Sequence, residues 1–152
     1  MNFTAKYFNE LSTSELYEIL KARSQIFIVE QGMNCQDIDG IDTVARHFFI
    51  EDGGKVLAYL RGFYEDKEKT TLRIGRVLSV IHGIGLGREI MLKATQDIKK
   101  NMPCKKICLD SQKHAVGFYE KLGFKTVSGE FLEEGVIHVK MQMEFYNSFS
   151  KL

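Results

Sequence analysis

The sequence predicts a single α+β domain over residues 1–152, built on a mixed, mostly antiparallel sheet that is flanked by helices. Two observations lead to this prediction. The predicted elements run in the order β-α-β-β-β-α-β-α-β-β, so that a central β-α-β unit interrupts series of strands. The chain has 152 residues, of which 44% are hydrophobic and 27% are charged, and can bury a sizeable core in one domain.

Composition excludes several classes of protein. The formal net charge is +1, so no strong basic field would attract nucleic acid or an anionic membrane. No apolar run approaches the length that spans a bilayer, and the N-terminus lacks the apolar core of a signal peptide. The three cysteines, Cys35, Cys104 and Cys108, are an odd number without a zinc spacing. We therefore expect a cytoplasmic protein with reduced thiols, no metal, and no nucleic-acid or membrane partner.

The first third of the chain predicts a strand, a helix and a loop. Residues 2–8 are a short β-like run. Ser12 and Glu15 stand three apart, as in the capping box that starts a helix. The helix should end near residues 30–32, and Arg23 interrupts its apolar face. The apolar residues of that face are Leu16, Ile19, Leu20 and Phe27.

A polar, acidic loop should follow over residues 32–45, with Asp37, Asp39 and Asp42 around Gly40. A calcium-binding EF-hand loop needs ligands at regular alternate positions and a closing glutamate. That frame is missing here, so the stretch predicts a solvated turn. Its carboxylates could also steer a cationic substrate toward the protein.

The middle of the chain predicts a three-stranded meander followed by a helix. The strands should span residues 46–51, 55–64 and 70–79, with the turn Asp52-Gly53-Gly54 between the first two. The helix should run from about residue 85 to residue 101. Its apolar stripe consists of Leu86, Ile90, Met91, Ala94 and Ile98.

The last third predicts one more helix among three strands. A short β run over residues 105–110 precedes an amphipathic helix over residues 111–122, which Gly123 closes as C-cap. Residues 124–127 and 136–145 are predicted to be the two final strands.

A glycine-rich turn joins the third strand of the meander to its helix. Gly83, Gly85 and Gly87 stand at alternate positions, where glycine allows positive φ and a close approach to the main chain. The helix start adds unpaired N–H groups and the positive end of its dipole, which suits a phosphate. A Walker loop and a G-x-G-x-x-G dinucleotide fingerprint are both excluded, because neither pattern occurs. We therefore interpret residues 82–88, the glycine loop, as a pyrophosphate site.

The stretch His82-Gly83-Ile84-Gly85-Leu86-Gly87 resembles the acyl-CoA pyrophosphate loop of the GNAT N-acetyltransferase superfamily, usually written Q/R-x-x-G-x-G/A. It departs from the pattern at its first position, where His82 replaces the usual Arg or Gln. Residues 115–124 look like the second CoA-side motif of that superfamily, A-x-x-F-Y-x-K-x-G-F. Gln112 stands where that motif often has Asn.

Further segments are similar to the ElaA-like branch of the superfamily. They are residues 26–31, residues 36–42 together with His47, and residues 134–141. Each motif alone is weak. Together they occur in the right order and cover nearly the whole chain, so the chain is identified as similar to this family over its length.

The resemblance implies transfer of an acetyl group from acetyl-CoA to a primary amine through a ternary complex, without a metal. The acceptor would be a small molecule or a peptide, and a homodimer stays open. Backbone groups at the end of a splayed strand would pair with pantetheine and polarise the thioester carbonyl. The resemblance assigns these residues to the CoA site: Val77, Leu78, Ser79, His82, Gly83, Ile84, Gly85, Leu86, Gly87, Arg88, Gln112 and Phe118.

Acetyl transfer needs an acid for the departing thiolate and a base for the acceptor ammonium. The resemblance gives the acid role to Tyr119. Glu30, beside the acidic loop, is the first candidate for the base, and His138 and His47 are alternatives because imidazole titrates near neutral pH. The candidates for contact with the acceptor are Arg23, Asp39, Asp42, His47 and His138.

Two other functions stay open on the sequence. The chain could bind acyl-CoA without turnover, as a sensor or interaction module, because His82 replaces a permanent cation in the glycine loop. It also shares the predicted sheet and an early arginine with homoserine-lactone synthases, although it is short for that class. Release of free CoA thiol in the presence of amines would distinguish an enzyme from a sensor.

Overall fold

The computed structural model describes residues 1–144, and the strands within them form one eight-stranded sheet. The strands are β1 (Asn2–Tyr7), β2 (Arg46–Asp52), β3 (Lys55–Tyr64), β4 (Thr71–Ser79), β5 (Lys106–Gln112), β6 (Lys125–Thr126), β7 (Phe131–Glu133) and β8 (Val136–Glu144). Their spatial order is β1-β2-β3-β4-β5-β8-β6, and β7 also pairs with β8. β4 and β5 are parallel, whereas the other pairs among the described residues are antiparallel.

Helices lie on both faces of the sheet. They are α1 (Thr13–Arg23), which continues as a π-helical segment (Ser24–Glu30), α2 (Leu86–Asn101) and α3 (Val116–Glu120). Short 3₁₀ turns occur at Phe8–Glu10, Ile41–Val44 and Lys113–Ala115.

Two apolar clusters hold the helices to the sheet. On one face α2 packs against the strands and α3, and the cluster includes Phe48, Leu60, Leu72, Ile90, Met91, Ile98, Ile107, Tyr119, Phe124 and Met141. On the other face α1 and the π-helical segment pack against β2 and β3, and the cluster includes Ile19, Ala22, Ile26, Phe49, Tyr59 and Leu78. Among the described residues, this second cluster contains none from β5 or β8.

Much of the predicted element order is confirmed. The capping box forms, since Ser12 Oγ accepts from the Glu15 N–H at 3.0 Å and the Glu15 carboxylate accepts from the Ser12 N–H at 2.8 Å. The meander and the helix after it begin and end within one residue of the predicted bounds. The five residues of the predicted apolar stripe are all buried: Leu86, Ile90, Met91, Ala94 and Ile98.

The predicted helix over residues 111–122 is wrong at its start. Ser111 and Gln112 extend β5, because they pair with Val139 and His138 of β8. Cross-strand pairing therefore overrides the helical pattern at these two residues, a 3₁₀ turn follows at Lys113–Ala115, and the α-helix is only five residues long. β7 is an additional strand that the sequence does not predict, since its three residues are too few to show alternation. Phe145, the last residue of the predicted final strand, lies outside the described residues.

Candidate active site

A cleft opens in the sheet where β4 and β5 part. The two strands pair only from Thr71 with Lys106 to Arg73 with Cys108, and then diverge. Beyond that point the main-chain groups of β4 that would face β5 lie along the cleft instead. The splayed strand predicted from the sequence is thus present in the structure.

A β-bulge lies in β4 next to this cleft. Tyr59 pairs with Leu78 and Arg61 pairs with Gly75. Between these two pairs β3 advances by two residues and β4 by three, so β4 has one extra residue. Arg76 takes up the extra residue with a φ of 55°, in the left-handed region that costs a non-glycine residue about 1–2 kcal/mol. The Arg76 guanidinium donates to Asp37 Oδ1 at 2.8 Å and to the Asp37 carbonyl at 3.1 Å, which offsets that cost.

The cleft widens into a cavity of about 710 Å³ that reaches both faces of the sheet. Strand alternation puts Arg61, Arg73, Asp110 and His138 on the face that carries α1. Tyr119 enters the same cavity from α3 and the apolar cluster of the opposite face. The splay of β4 from β5 therefore brings residues from two faces of one sheet to a shared space.

The acidic loop closes one side of the cavity through a network of three arginines and three aspartates. Asp42 Oδ1 accepts from Arg23 at 2.7 Å and from Arg61 at 2.8 Å. Arg61 also donates to both oxygens of Asp39, at 2.9 and 2.6 Å. Asp37 joins Arg76 to the rest of the network, because it accepts hydrogen bonds from both Arg23 and Arg76. The loop is thereby fixed to α1, β3 and the bulge of β4.

The charges of this network shift the proton affinities of its carboxyls. Burial alone would raise the pKa of Asp39, but the hydrogen bonds from Arg61 and the Ile41 N–H and the positive charge of Arg76 outweigh it and lower the pKa to about 2. Burial likewise opposes ionisation of Asp42, and Arg23 and Arg61 lower its pKa. The carboxyls of Asp39 and Asp42 are therefore ionised at neutral pH.

The glycine loop has the backbone geometry that the sequence predicts. Gly83 has a φ of 82° and Gly85 a φ of 80°, both in the left-handed region. Gly85 is the N-cap of α2, and no side chain caps that helix. Gly87 lies in the first turn of α2, where an added Cβ would meet the ring of Phe118 at 3.6 Å. The loop thus presents main-chain N–H groups at the start of a long helix.

Tyr119 is almost fully buried and packs edge-on against Phe118 and Phe124, with ring centroids 5.1 and 6.1 Å away. Burial raises the pKa of Tyr119 to about 12, so its phenol is protonated at neutral pH. Its hydroxyl has no hydrogen-bond partner within residues 1–144, and the side chain lines the cavity. The phenol can therefore donate its proton to a group that enters the cavity.

His138 lies at the other end of the cavity, on β8 opposite Gln112. Its Nδ1 donates to the Val136 carbonyl at 2.8 Å, and its ring stacks on Phe131. The side chain is only 6% exposed, and Nε2 lies 3.7 Å from Glu133 Oε2, beyond hydrogen-bond distance. Because Nδ1 holds the proton, Nε2 offers a lone pair to the cavity.

Three of the residues predicted to contact an acceptor do not line the cavity. Arg23 is 0% exposed, and Asp42 is held by Arg23 and Arg61. His47 is also buried: its Nε2 donates to the Asp42 carbonyl at 2.9 Å, and its Nδ1 accepts from the Tyr59 hydroxyl at 2.7 Å. These three side chains hold the acidic loop in place, which corrects the prediction. Asp39 does reach the cavity, with its carboxylate already paired.

Glu30 is likewise absent from this cavity, contrary to the prediction from the sequence. Its side chain is 43% exposed and lies 3.7 Å from His82 at the start of the glycine loop. The end of the π-helical segment at Glu30 therefore lies beside the glycine loop, whereas Phe27 and Gln31 line the cavity. Of the three candidate bases, only His138 lines the cavity.

Of the residues predicted for the CoA site outside the glycine loop, some line the cavity and others lie in the core. Val77 and Gln112 line the cavity, whereas Leu78 is buried in the cluster under α1. Ser79 is half-buried and donates to the Ile81 carbonyl at 2.7 Å.

Sequence reasoning missed several polar residues of the cavity, namely Arg61, Arg73, Arg76, Asp110, His114, Glu133 and Glu134. One signal was available for Arg61, since it interrupts a run of apolar residues in its strand as Arg23 interrupts its helix. Within residues 1–144, no group of three or more His, Cys, Asp or Glu side chains could hold a metal ion. No helix in that part of the chain is long and apolar enough to cross a membrane.

Comparison with known sequences gives matches along nearly the whole chain. The sequence model of the family described as "Acetyltransferase (GNAT) domain" matches residues 21–145. A UPF0039 protein of Schizosaccharomyces pombe is 37% identical over 148 residues, which cover 95% of this chain and 97% of that protein. Protein ElaA of Escherichia coli is 34% identical over 140 residues, which cover 90% of this chain and 92% of ElaA.

Solved structures confirm the predicted fold. The crystal structure of E. coli ElaA is similar with a TM-score of 0.88 at 32% identity, covering 94% of this chain and 99% of that one. An acyl-CoA N-acyltransferase from Pseudomonas aeruginosa is similar with a TM-score of 0.86 at 32% identity and the same coverage. A CoA-dependent acyl-homoserine lactone synthase has a TM-score of 0.76 at 12% identity, which shows a shared fold alone.

The arginine–aspartate network should make the fold sensitive to acid. Asp39 and Asp42 have lowered pKa values in the folded state, so their stabilising effect is present above the unfolded value of about 4 and is lost as pH falls below it. For Asp39 the loss extends down to its folded pKa of about 2. Over this pH window, the free energy of unfolding of the Asp39→Asn variant should fall by about 1 kcal/mol less than that of the wild type. Urea unfolding at a series of pH values measures the difference.

The matched control for this variant is Asp52→Asn, which removes an exposed carboxylate at the end of β2 outside the network. It should follow the wild-type pH dependence. Equal pH dependence in Asp39→Asn and wild type would show that the network does not stabilise the fold through its charges.

Proposed function

The chain belongs to the GNAT acetyltransferase family, and on that premise we propose that it transfers an acetyl group from acetyl-CoA to a primary amine in a ternary complex. The observation that carries the proposal is the cleft between β4 and β5, which joins Tyr119 on one sheet face to His138 on the other. A proton donor and a proton acceptor thus line one cavity, as acetyl transfer to an ammonium requires.

Binding of the nucleotide end of acetyl-CoA is assigned to the glycine loop. Gly83 and Gly85 carry no side chain at the positive φ that the loop requires, and a Cβ added at either would project into open space with nothing within 4 Å. The uncapped N-terminus of α2 supplies N–H groups and a positive dipole end for a pyrophosphate. Main-chain groups of Val77 and Ser79 in β4 are assigned to the pantetheine arm, because β5 has moved away from them.

Recognition of the acetyl group falls to the bulge of β4. Bound acetyl-CoA supplies the acetyl group as a reactive thioester. An N–H group at the bulge, near Val77, would donate to the thioester carbonyl oxygen and stabilise the charge that develops there. The ion pairs of Arg76 with Asp37 keep the bulge rigid, so this donor needs no rearrangement during the reaction.

His138 is proposed as the general base in place of Glu30. Its Nδ1 is held by the Val136 carbonyl, so Nε2 is the nitrogen that can accept a proton from the acceptor amine. Glu133, 3.7 Å from Nε2, would stabilise the imidazolium that results. The base is thereby oriented by the Val136 carbonyl and has a carboxylate beside the nitrogen that takes up the proton.

Tyr119 is proposed as the general acid. Burial raises the pKa of its phenol to about 12, and it raises the pKa of the Cys104 and Cys108 thiols to about 11. A thiolate released in comparable surroundings is therefore a strong base as well. A hydrogen bond from Tyr119 to the departing sulfur would stabilise it, although a phenol is a weak acid in water.

The proton balance of this proposal closes with both residues restored. The amine nitrogen forms a C–N bond to the acetyl carbon while the C–S bond breaks. An ammonium loses two protons in this reaction. The first leaves through His138 to solvent. Tyr119 gives a proton to the departing sulfur, and the second proton, held on the imidazolium, replaces the one that Tyr119 gave. The products are an N-acetyl amide and the free CoA thiol.

Incubation of the protein with acetyl-CoA and a panel of primary amines should give acetylated product by mass spectrometry and an equal amount of free CoA thiol. The Gly85→Asp variant should lose both, because its carboxylate would repel the pyrophosphate. Gly85→Ala is its control, since it imposes the same backbone strain at a φ of 80° without the charge. Tight acetyl-CoA binding by calorimetry with no thiol release from any amine would instead favour a sensor.

Tyr119→Phe should lower kcat by about 100-fold and leave acetyl-CoA affinity nearly unchanged, because only the proton donor is removed. The melting temperature should stay close to wild type, since the hydroxyl has no hydrogen-bond partner among residues 1–144. Tyr64→Phe is the control: it removes a hydroxyl that donates to the Pro103 carbonyl, away from the cavity. A full kcat in Tyr119→Phe would end the acid assignment.

His138→Gln should lower kcat/KM by about 100-fold at neutral pH. It should also remove the fall in rate at low pH that protonation of an imidazole base produces. Glutamine keeps a polar side chain but cannot take up the proton. His114→Gln, a change in an exposed histidine on the rim of the same cavity, serves as control and should keep the wild-type pH profile. If the rate of His138→Gln still falls at low pH, a group other than His138 is the base.

A further inference from the structure

We infer that the preferred acceptor carries a second positive charge, which Glu133 and Glu134 bind at the His138 end of the cavity. This inference rests on the proposed acetyl transfer and names the class of its acceptor: an aliphatic amine with a further ammonium group. Both glutamates stand at the turn between β7 and β8 and line the cavity.

The arginines of the cavity are not available to an acidic substrate. Arg61 is paired with Asp39 and Asp42, and Arg76 is paired with Asp37 and Asp39. The third, Arg73, donates to Asp110 at 2.8 Å and to Glu65. Each guanidinium is therefore neutralised by carboxylates, and an acceptor with a carboxylate or phosphate would have to break an existing pair.

The two glutamates, in contrast, lack a cationic partner. The carboxylate of Glu133 is 50% exposed, and its ionic neighbour within residues 1–144 is the imidazole of His138, at 3.7 Å. Glu134 has neither a hydrogen bond nor an ion pair in that part of the chain. The cavity thus has five lining carboxylates against three guanidiniums, and the excess negative charge lies at this turn.

An independent observation points to a ligand at the same place. The His138 side chain is 94% buried, yet none of the residues 1–144 gives its Nε2 a hydrogen bond. Nε2 is not among the fully buried side-chain atoms of residues 1–144, so this unpartnered lone pair is open to a donor that enters the cavity. An ammonium satisfies it, because Nε2 is the acceptor nitrogen when Nδ1 donates to Val136.

A diamine uses this arrangement better than a monoamine. One amino group can lie at His138 for transfer while the other is bound by the glutamate carboxylates. Once the first nitrogen is acetylated, the product has a single charge left and resembles a monoamine in its binding. We therefore expect acetylation to stop at one acetyl group per molecule.

The test compares putrescine and cadaverine with butylamine and pentylamine, which have the same chain lengths and one charge fewer. In the presence of acetyl-CoA, kcat/KM should be at least about fivefold higher for each diamine, the size of one partly exposed ion pair. The advantage should shrink as salt is added. Alanyl-lysine against alanyl-norleucine applies the same comparison to a peptide, and a preference for the lysyl peptide would support the same site with a peptide acceptor.

The variant that tests the site is Glu134→Gln, which should reduce the ratio of diamine to monoamine kcat/KM toward one. Glu130→Gln is the control, because Glu130 is paired with Lys113 on the surface and does not line the cavity. It should keep the wild-type ratio.

Each outcome separates this inference from the proposed function. Equal kcat/KM for diamines and matched monoamines, or ready formation of the doubly acetylated diamine, would overturn the second-charge site and leave acetyl transfer intact. An absence of acetylated product and of free thiol with every amine would overturn the proposed function itself. An unchanged ratio in Glu134→Gln alongside a clear diamine preference would show that the second charge binds elsewhere, which also overturns the assignment to this turn.

Discussion

The parting of β4 and β5 is the constraint on which the rest of the structure depends. A sheet is normally closed to passage between its faces, because neighbouring strands saturate each other's main-chain groups. Here the parallel ladder stops after Arg73 and Cys108, and α2 begins at Leu86, within the glycine loop that follows β4. The same opening therefore frees main-chain groups and links an apolar face to a polar one.

The arginine–aspartate network explains how the opening is held. A bulge with a left-handed Arg76 would relax if nothing fixed it, and the cleft would lose its edge. Asp37 ties Arg76 to Arg23 of α1, so the bulge, the acidic loop and the helix form one unit. Buried ion pairs of this kind gain little stability over apolar packing, but removal of one partner leaves an uncompensated charge. Such a network specifies one arrangement of the loop more than it adds to overall stability.

The sequence predicts the fold well and the site unevenly, for physical reasons. Features set by neighbours in the chain were readable: the capping box at Ser12, the apolar stripe of α2 and the positive-φ glycines all depend on local geometry. Features set by distant partners were not. Ser111 belongs to a strand because β8 lies beside it, and the roles of Arg23, Asp42 and His47 depend on contacts between segments far apart in sequence. Glu30 shows the same limit, since only the course of the π-helical segment reveals that it faces His82.

The two faces of the sheet also separate two electrostatic environments that the proposed chemistry needs at once. On the α3 face Tyr119 is surrounded by aromatic and aliphatic side chains, and burial keeps its phenol protonated. On the α1 face the cavity is lined by carboxylates and paired guanidiniums, which would favour a positively charged acceptor and the imidazolium that forms when His138 takes up its proton. A single-faced site would have to compromise between these conditions, because a low dielectric that suits a neutral acid disfavours a charged amine. By opening the sheet between them, the fold places the proposed acid and the proposed base along one cavity while each keeps its own surroundings.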